Sequence, residues 1–220
     1  MKAIIFDCDG TLVDSERIGV EALAEVASVY GAALDVAVLL QQLRGLNMAA
    51  CVREIEDLCA VRMPDDFVAQ VRLRTAEEFR RRLRAFDGAR ELLGSLRVPF
   101  CVASNGPREK IELSLSVTGL LPWIGDRIFS SYDLGQWKPH PGLLLHAAAA
   151  MGVVPSSCGV VDDSVPGVEA GVAAGMQVFA FGEPPAKIPH GVRVRHVRTH
   201  HELRALLGDV CVGMVEQSST

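Results

Sequence analysis

Short apolar runs alternate with helical patterns through most of this sequence. The first run, Ala3–Phe6, is rich in β-branched residues and is typical of a strand buried on both faces of a sheet. Five further apolar runs lie beyond residue 88, at 99–104, 126–131, 158–164, 177–181 and 192–197. Each of the first four follows a helical segment, and the fifth precedes the last helical segment. This alternation predicts a parallel β-sheet covered by helices on both faces, and therefore an α/β fold.

The segment that follows the first run is helical throughout. Helical patterns cover 15–32, 35–45, 47–60 and 63–88, with Ser15, Asp35 and Asn47 as candidate N-caps. Since no persuasive strand interrupts these patterns, we predict that residues 15–87 form an all-helical domain inserted directly after the first strand. Residues 1–14 and 88–220 would then form the sheet-containing core.

Composition and charge restrict the class of protein. A chain of 220 residues with 49% hydrophobic content can bury a sizeable core, and a net charge of -5 argues against nucleic acid as a partner. The six cysteines form no CxxC pair, the amino terminus lacks the pattern of a secretory signal, and the apolar runs are too short or too interrupted to cross a bilayer. We therefore expect a reduced, cytoplasmic, monomeric protein with no membrane anchor and a small ligand.

Polar side chains collect where the predicted strands end. Acids, hydroxyls, an amide and one lysine follow successive strands: Asp7, Asp9, Ser104, Asn105, Lys138, Asp162 and Asp163. In open parallel sheets, ligands bind beyond the carboxyl ends of the strands. Each group alone has an ordinary explanation: the acids, hydroxyls and amide as turn or helix-cap residues, and Lys138 as a solvated loop lysine. Their occurrence at successive strand ends is better explained by a shared site.

The acids at these strand ends predict a metal ion. Their carboxylates would repel one another in one cleft unless a cation joined them. Oxygen ligands of this kind suit Mg2+, so we predict a Mg2+ site formed by Asp7, Asp9, Asp162 and Asp163. A zinc site is disfavoured because the six histidines lack metal-ligand spacing, and the pair His200 and His201 is interpreted as a helix cap.

The remaining polar groups suit a phosphoryl group. Lys138 supplies a positive charge, and hydrogen bonds to phosphoryl oxygens are expected from Thr11, Ser104 and Asn105. Asp7, at the end of the first strand, is the candidate nucleophile and would form an aspartyl-phosphate. Asp9 is the candidate general acid and base. The sequence thus predicts phosphoryl transfer to Asp7.

Four motifs in order resemble those of a known superfamily. The segments DCDGTLVDSE, VASN, WKPHP and GVVDDSVPGVEAGVAAGM are similar to the four motifs of the haloacid dehalogenase (HAD) superfamily. The resemblance covers almost the whole chain, and the helical insertion is similar to the C1 cap of that superfamily. It implies the HAD fold, a Rossmann-like parallel sheet core with an inserted all-helical cap domain.

Details within the motifs distinguish members of the superfamily. Asp9 resembles the phosphotransferring members, since dehalogenases usually lack this second aspartate. The likeness is greatest to the β-phosphoglucomutase-like branch, which holds both sugar-phosphate mutases and phosphatases. Met48 stands where the mutase has an arginine, and SNGPR replaces a polar loop of the mutase. Both differences favour hydrolysis; a mutase is the first alternative and a non-catalytic phosphometabolite sensor the second.

Shorter matches suggest a substrate. SNGP, WKP, HAAAAMG and VVDDS resemble bacterial 6-phosphogluconate phosphatases, which implies hydrolysis of a sugar phosphate or sugar acid phosphate, with 6-phosphogluconate as one candidate. In the cap, Arg44 and Asn47 flank the expected cap glycine, Gly45, and are candidates for substrate contact. The arginine-rich run at 72–84 is interpreted mainly as a solvated helix face.

Overall fold

The structure is a computed structural model of the chain. It describes residues 1–43, 46–182 and 193–211, the last three of them by backbone alone. Arg44, Gly45 and the first residue of the strand predicted at 192–197 lie outside the described residues.

A single parallel sheet contains the six strands of the described residues. The strands are β1 (Ala3–Phe6), β2 (Phe100–Ser104), β3 (Ile128–Ser130), β4 (Cys158–Asp162), β5 (Gln177–Phe181) and β6 (Val194–Val197). Their order across the sheet is β3-β2-β1-β4-β5-β6, and every neighbouring pair is parallel. The predicted α/β fold with a parallel sheet is confirmed.

Helices connect the strands and build the insertion. In the described part of the chain they are α1 (Glu16–Val29), α2 (Val36–Gln42), α3 (Met48–Cys59), α4 (Phe67–Arg82), α5 (Ala89–Ser95), α6 (Arg108–Val117), α7 (Leu121–Ile124), α8 (Ser131–Leu134), α9 (Gly142–Ala150), α10 (Val165–Ala173) and α11 (His200–Cys211). A 3-10 turn at Pro155–Ser157 precedes β4. The sequence did not predict the short α8, which begins directly after β3 because the Ser130 hydroxyl accepts a hydrogen bond from Tyr132 N–H. Over the described ranges, no helix is both long enough and apolar enough to cross a membrane.

The first strand lies in the centre of the sheet and is completely buried. All four side chains of β1 are 0% exposed. Leu144 and Ala147 of α9 share a buried cluster with Ile5 of β1 and Cys101 of β2. Burial of a side chain the size of leucine or isoleucine contributes about 1.5–3 kcal/mol. This packing holds β1 in place and so determines where the residue after it, Asp7, leaves the sheet.

The described residues group into two compact units. One contains the described residues within Met1–Val13 and Ala85–Thr220, and the other those within Asp14–Arg84. The predicted insertion, 15–87, has similar limits. The smaller unit has its own buried cluster of side chains from α1 to α4, among them Leu23, Ile55 and Phe67. Its helices are therefore stabilised by a core of their own.

Arginines of α4 form ion pairs within the smaller unit. Arg81 has a side chain that is 71% exposed, as expected of a solvated face. Arg74 and Arg82 instead join α4 to α1 through Glu25 at 2.8 Å and Glu21 at 2.7 Å. Exposed pairs of this kind contribute at most about 1 kcal/mol each. The contact between the two helices therefore depends mainly on the apolar cluster.

His200 lies in the core rather than at a helix cap. Its side chain is 1% exposed, and its ring centroid is 4.4 Å from that of Phe181 and 6.4 Å from that of Phe86. The start of α11 is capped by Thr199, whose hydroxyl accepts from Glu202 N–H over 3.1 Å. Among the described residues, neither ring nitrogen of His200 has a hydrogen-bond partner. The interpretation of His200 as a cap was therefore wrong, because Thr199 provides the cap. Burial lowers the pKa of His200 to about 4, so the ring is neutral at pH 7.

The cysteines of the described ranges are all free thiols: Cys8, Cys51, Cys59, Cys101 and Cys158. All of these except Cys59 are buried. Burial raises the pKa of Cys101 to about 12 and holds the pKa of Cys8 well above its usual value. The thiols of Cys8 and Cys101 therefore contribute packing and are uncharged at neutral pH.

Candidate active site

The carboxyl ends of β1, β2 and β4 lie side by side. Phe6 pairs with Val102 of β2 and with Val161 of β4, so the residues that follow these strands leave the sheet at the same edge. Asp7 directly follows β1, and its backbone N–H donates to the Val161 carbonyl over 2.9 Å. Asp162 is the last residue of β4. The predicted convergence of polar side chains at this edge is therefore present.

Lys138 lies between two of the aspartates. Its Nζ donates to Asp7 Oδ1 and to Asp162 Oδ2, each over 2.7 Å, and its side chain is 2% exposed. Burial favours the neutral amine, but the carboxylates of Asp162 and Asp7 outweigh it and raise the pKa of Lys138. Burial raises the pKa of Asp7 to about 7 even though Lys138 acts to lower it, and the charge of Asp162 adds to the increase. More positive charge than one ammonium is needed to keep Asp7 fully ionised at neutral pH.

Three carboxylates form a group that can hold a cation. One oxygen each of Asp7, Asp162 and Asp163 lies within 4.8 Å of the other two. An all-oxygen donor set suits a hard cation such as Mg2+ and does not suit Zn2+. A bound cation would also favour the ionised form of Asp7. The donor set therefore fits the predicted metal.

Ser164 orients the Asp162 carboxylate. Asp162 Oδ1 accepts hydrogen bonds from Ser164 N–H over 2.9 Å and from Ser164 Oγ over 2.7 Å. The same hydroxyl accepts from Gly167 N–H over 3.1 Å and caps α10. Since Oδ2 contacts Lys138, the carboxylate is held through both of its oxygens.

Two glycines leave room for the carboxylates. A Cβ at Gly167 would lie only 1.9 Å from the carboxyl carbon of Asp162, and a Cβ at Gly10 would lie 2.3 Å from Asp163 Oδ2. Gly10 also has a φ of +73°, in the left-handed region that favours glycine. The glycines of the first and fourth motifs are thus needed for close approach to the acids.

Asn105 holds the loop that carries Lys138. Its Oδ1 accepts from Lys138 N–H over 2.9 Å and from Ser131 Oγ over 2.7 Å, and its Nδ2 donates to the Lys138 carbonyl over 3.2 Å. The sequence predicted that this amide contacts the phosphoryl group. Its hydrogen bonds in the structure are made within the protein, where they position the backbone of Lys138.

Thr11 and Ser104 also have partners within the protein. Thr11 Oγ1 donates to Asp163 Oδ1 over 3.1 Å and accepts from Asp163 N–H over 3.2 Å, and the residue is 0% exposed. Thr11 therefore orients Asp163. Ser104 Oγ accepts from Gly106 N–H over 3.2 Å. A hydroxyl that accepts one bond retains a proton that it can donate, so Ser104 keeps its predicted capacity to bind a phosphoryl oxygen.

Asp9 pairs with a lysine that the sequence reasoning missed. Lys110 Nζ donates to Asp9 Oδ2 over 2.7 Å, and the two side chains are 35% and 24% exposed. Asp9 was predicted as a metal ligand, but it is not part of the three-carboxylate group found among the described residues. Lys110 lies inside a helical pattern, where a lysine usually indicates a solvated face. Its sequence position therefore gave no signal of a site.

Comparison with known proteins agrees with this geometry. The sequence-family model that describes haloacid dehalogenase-like hydrolases matches residues 1–175 of this chain. This range contains every site residue described above. The chain belongs to this family. The predicted superfamily is thereby confirmed, and the chain is a HAD hydrolase.

Similar proteins cover nearly the whole of this HAD hydrolase. The 6-phosphogluconate phosphatase of Escherichia coli (strain K12) is 37% identical over 190 residues, which cover 86% of this chain and 86% of that protein. A HAD family hydrolase from Deinococcus radiodurans R1, solved with bound phosphate and sodium, is 32% identical with a TM-score of 0.77, over 95% of this chain and 96% of that one. A putative β-phosphoglucomutase from Thermotoga maritima has a TM-score of 0.76 at 24% identity, over 96% of this chain and 100% of that one, and this likeness concerns the fold alone.

Proposed function

We propose that this HAD hydrolase is a Mg2+-dependent phosphomonoesterase that acts through an aspartyl-phosphate on Asp7. The observation that carries the proposal is the buried ammonium of Lys138, which contacts both Asp7 and Asp162 over 2.7 Å. This charge lies beside the candidate nucleophile and beside a group of acids suited to a metal ion. Binding alone would not require a carboxylate in that position, which argues against a phosphometabolite sensor.

The proposed first step transfers the phosphoryl group to Asp7. A carboxylate oxygen of Asp7 attacks phosphorus, and the bond between phosphorus and the ester oxygen breaks. The leaving oxygen receives a proton from Asp9. Lys138 stabilises the charge on the transferring group, and Ser104 can donate a hydrogen bond to it. In the second step, water displaces Asp7 from phosphorus and releases inorganic phosphate.

Asp7, Asp162 and Asp163 would hold the Mg2+ ion. When bound, Mg2+ supplies charge stabilisation for the phosphoryl oxygens. The mutual distances of the three carboxylates and the raised pKa of Asp7 support this assignment. We propose these three acids rather than the four predicted from the sequence, because Asp9 is not part of the three-carboxylate group.

The proposed substrate is a small sugar phosphate or sugar acid phosphate, with 6-phosphogluconate as the first candidate. The 37% identity to the Escherichia coli 6-phosphogluconate phosphatase supports this choice. Arg44 and Asn47 remain candidates for contact with the sugar. Arg44 lies outside the described residues, and the Asn47 side chain accepts from Ala50 N–H as the N-cap of α3.

The test is phosphate release from a panel of sugar phosphates, sugar acid phosphates and nucleotides, with Mg2+ and with EDTA. We expect Mg2+-dependent release from 6-phosphogluconate, lost in Asp7→Asn and retained in Asp57→Asn, which makes the same chemical change at an exposed position of α3. Acid quenching during turnover should recover phosphate covalently bound to the wild-type enzyme but not to Asp7→Asn. Conversion of a hexose 1-phosphate to its isomer without phosphate release would instead indicate a mutase. No turnover of any phosphomonoester would contradict the proposal.

A further inference from the structure

The contact between Lys110 and Asp9 has no role in the chemistry proposed above. Lys110 Nζ donates a hydrogen bond to Asp9 Oδ2 over 2.7 Å. Lys138 cannot serve the same purpose, because it is committed to Asp7 and Asp162. Lys110 is therefore a second ammonium in the site, with a different carboxylate partner.

The start of the helix that carries Lys110 is anchored to the sheet. The Gly106 carbonyl, just before α6, accepts a hydrogen bond from Ser130 Oγ over 2.7 Å. Arg108, the first residue of α6, donates to the Ile128 carbonyl over 2.8 Å. Lys110 N–H donates to the Pro107 carbonyl over 3.0 Å. The ammonium of Lys110 thus extends from a backbone whose position is set by β3, which is the arrangement expected of a residue that orients another group.

We propose that Lys110 is a positioning residue for the second half of the reaction: its ammonium holds the Asp9 carboxylate where that group takes a proton from the attacking water. In this step the water oxygen forms a bond to phosphorus, and the bond between phosphorus and the Asp7 oxygen breaks. The water proton passes to Asp9, Asp7 becomes a carboxylate again, and inorganic phosphate leaves. The inference rests on the proposed function, since it requires an aspartyl-phosphate on Asp7.

The charge of Asp9 assigns the role of Lys110 to the second half of the reaction rather than to the first. After the leaving oxygen has taken its proton, Asp9 is a carboxylate, and a carboxylate binds an ammonium by a strong charge-assisted hydrogen bond. Before that transfer Asp9 is a neutral acid, which an ammonium holds less strongly. Loss of Lys110 should therefore slow removal of the phosphoryl group from Asp7 more than its arrival there.

The experiment compares the wild type, Lys110→Met, Lys110→Arg and Lys2→Met with p-nitrophenyl phosphate and Mg2+. Steady-state kinetics give kcat and KM, and rapid mixing measures the burst of p-nitrophenol. For Lys110→Met we expect kcat and KM to fall together by about tenfold, with kcat/KM nearly unchanged, because kcat/KM reports only steps up to departure of the leaving group. A burst of about one equivalent of p-nitrophenol per enzyme should precede the slow phase. Lys110→Arg, which keeps the charge, should recover part of kcat.

Lys2→Met is the matched control, because it makes the same chemical change at an exposed position of the same unit. It should retain wild-type kcat and burst. A fall of kcat/KM in Lys110→Met without a burst would overturn the inference and assign Lys110 to the first step. Unchanged kinetics, or an equal loss in Lys2→Met, would overturn it as well. Lys110→Gln replaces the methionine variant if the latter does not fold.

The same experiment separates failure of this inference from failure of the proposed function. If the wild type turns over and Lys110→Met shows no defect in the second step, the phosphatase is supported and the role of Lys110 is refuted. If the wild type neither releases p-nitrophenol nor acts on the substrate panel, both the proposed function and the role of Lys110 are refuted.

Discussion

Replacement of His200 by phenylalanine should remove the contribution of this histidine to the pH dependence of folding stability. His200 is 1% exposed between Phe86 and Phe181, and burial lowers its pKa from 6.5 to about 4. As the pH falls, the unfolded chain therefore binds this proton before the folded protein does. The contribution of His200 to folding stability is fully present above its pKa in the unfolded chain, about 6.5. This contribution is lost as the pH falls from about 6.5 towards about 4. Phenylalanine fills a similar space and cannot be protonated.

The size of the effect follows from these two pKa values. The difference in proton binding lowers the free energy of unfolding by about 2 kcal/mol at about pH 5, and by less than about 0.1 kcal/mol at about pH 7.5. Between these two pH values, the wild type should therefore lose about 2 kcal/mol more stability than His200→Phe. Any strain from the larger ring affects the variant equally at both pH values and cancels in the comparison.

Urea unfolding at the two pH values measures this difference, provided that the m-values agree. His201→Gln is the matched control, since the neighbouring His201 side chain is 61% exposed. This control should keep the pH dependence of the wild type. An equal loss of stability in the wild type and His200→Phe would refute the argument that a buried neutral ring must be protonated on unfolding in acid.

Three further outcomes are expected. Mg2+ at about one hundred times its Kd should raise the free energy of unfolding by about 2.7 kcal/mol. Thermal denaturation with Mg2+ and with EDTA should show this stabilisation in the wild type and little of it in Asp163→Asn. Equal stabilisation of both proteins would contradict the proposed metal site. Lys138→Met should lose about 3–5 kcal/mol of stability in urea, because it leaves Asp7 and Asp162 without their buried partner; the exposed Lys2→Met is its control, and a stable Lys138→Met would contradict the argument. Ala60→Gly should gain about 1 kcal/mol, since Ala60 ends α3 with a φ of 52°; a loss of stability would show that the αL conformation is not strained.

The parts of the site that could be predicted from the sequence are those attached to strand ends. A buried parallel strand is marked by its apolar run, and the carboxyl ends of parallel strands meet at one edge of the sheet. Asp7, Asp162 and Lys138 could therefore be grouped before any coordinates were known. The helical patterns after the first strand predicted the insertion, and the family resemblance added the order of the motifs and the likeness of the insertion to a C1 cap.

The contacts that the sequence did not show are ones that no local pattern encodes. Asn105 was predicted to bind the phosphoryl group, and the structure shows in addition that its side chain contacts the Lys138 backbone through both its oxygen and its nitrogen. Lys110 reaches Asp9 from a helix, where only the three-dimensional packing shows which side faces the site. His200 occupies an aromatic environment formed by segments distant in sequence. In each case the partner, rather than the residue type, decides the role.

The smaller helical unit has a consequence for how proteins of this kind diversify. Residues 14–84 carry an apolar cluster of their own, and every residue of the proposed chemistry lies in the other unit. Substitutions that reshape the insertion therefore leave the carboxylates and lysines of the reaction untouched. Selection can act on the two units separately, so that one lineage keeps an inherited reaction while it exchanges the helices that accompany it.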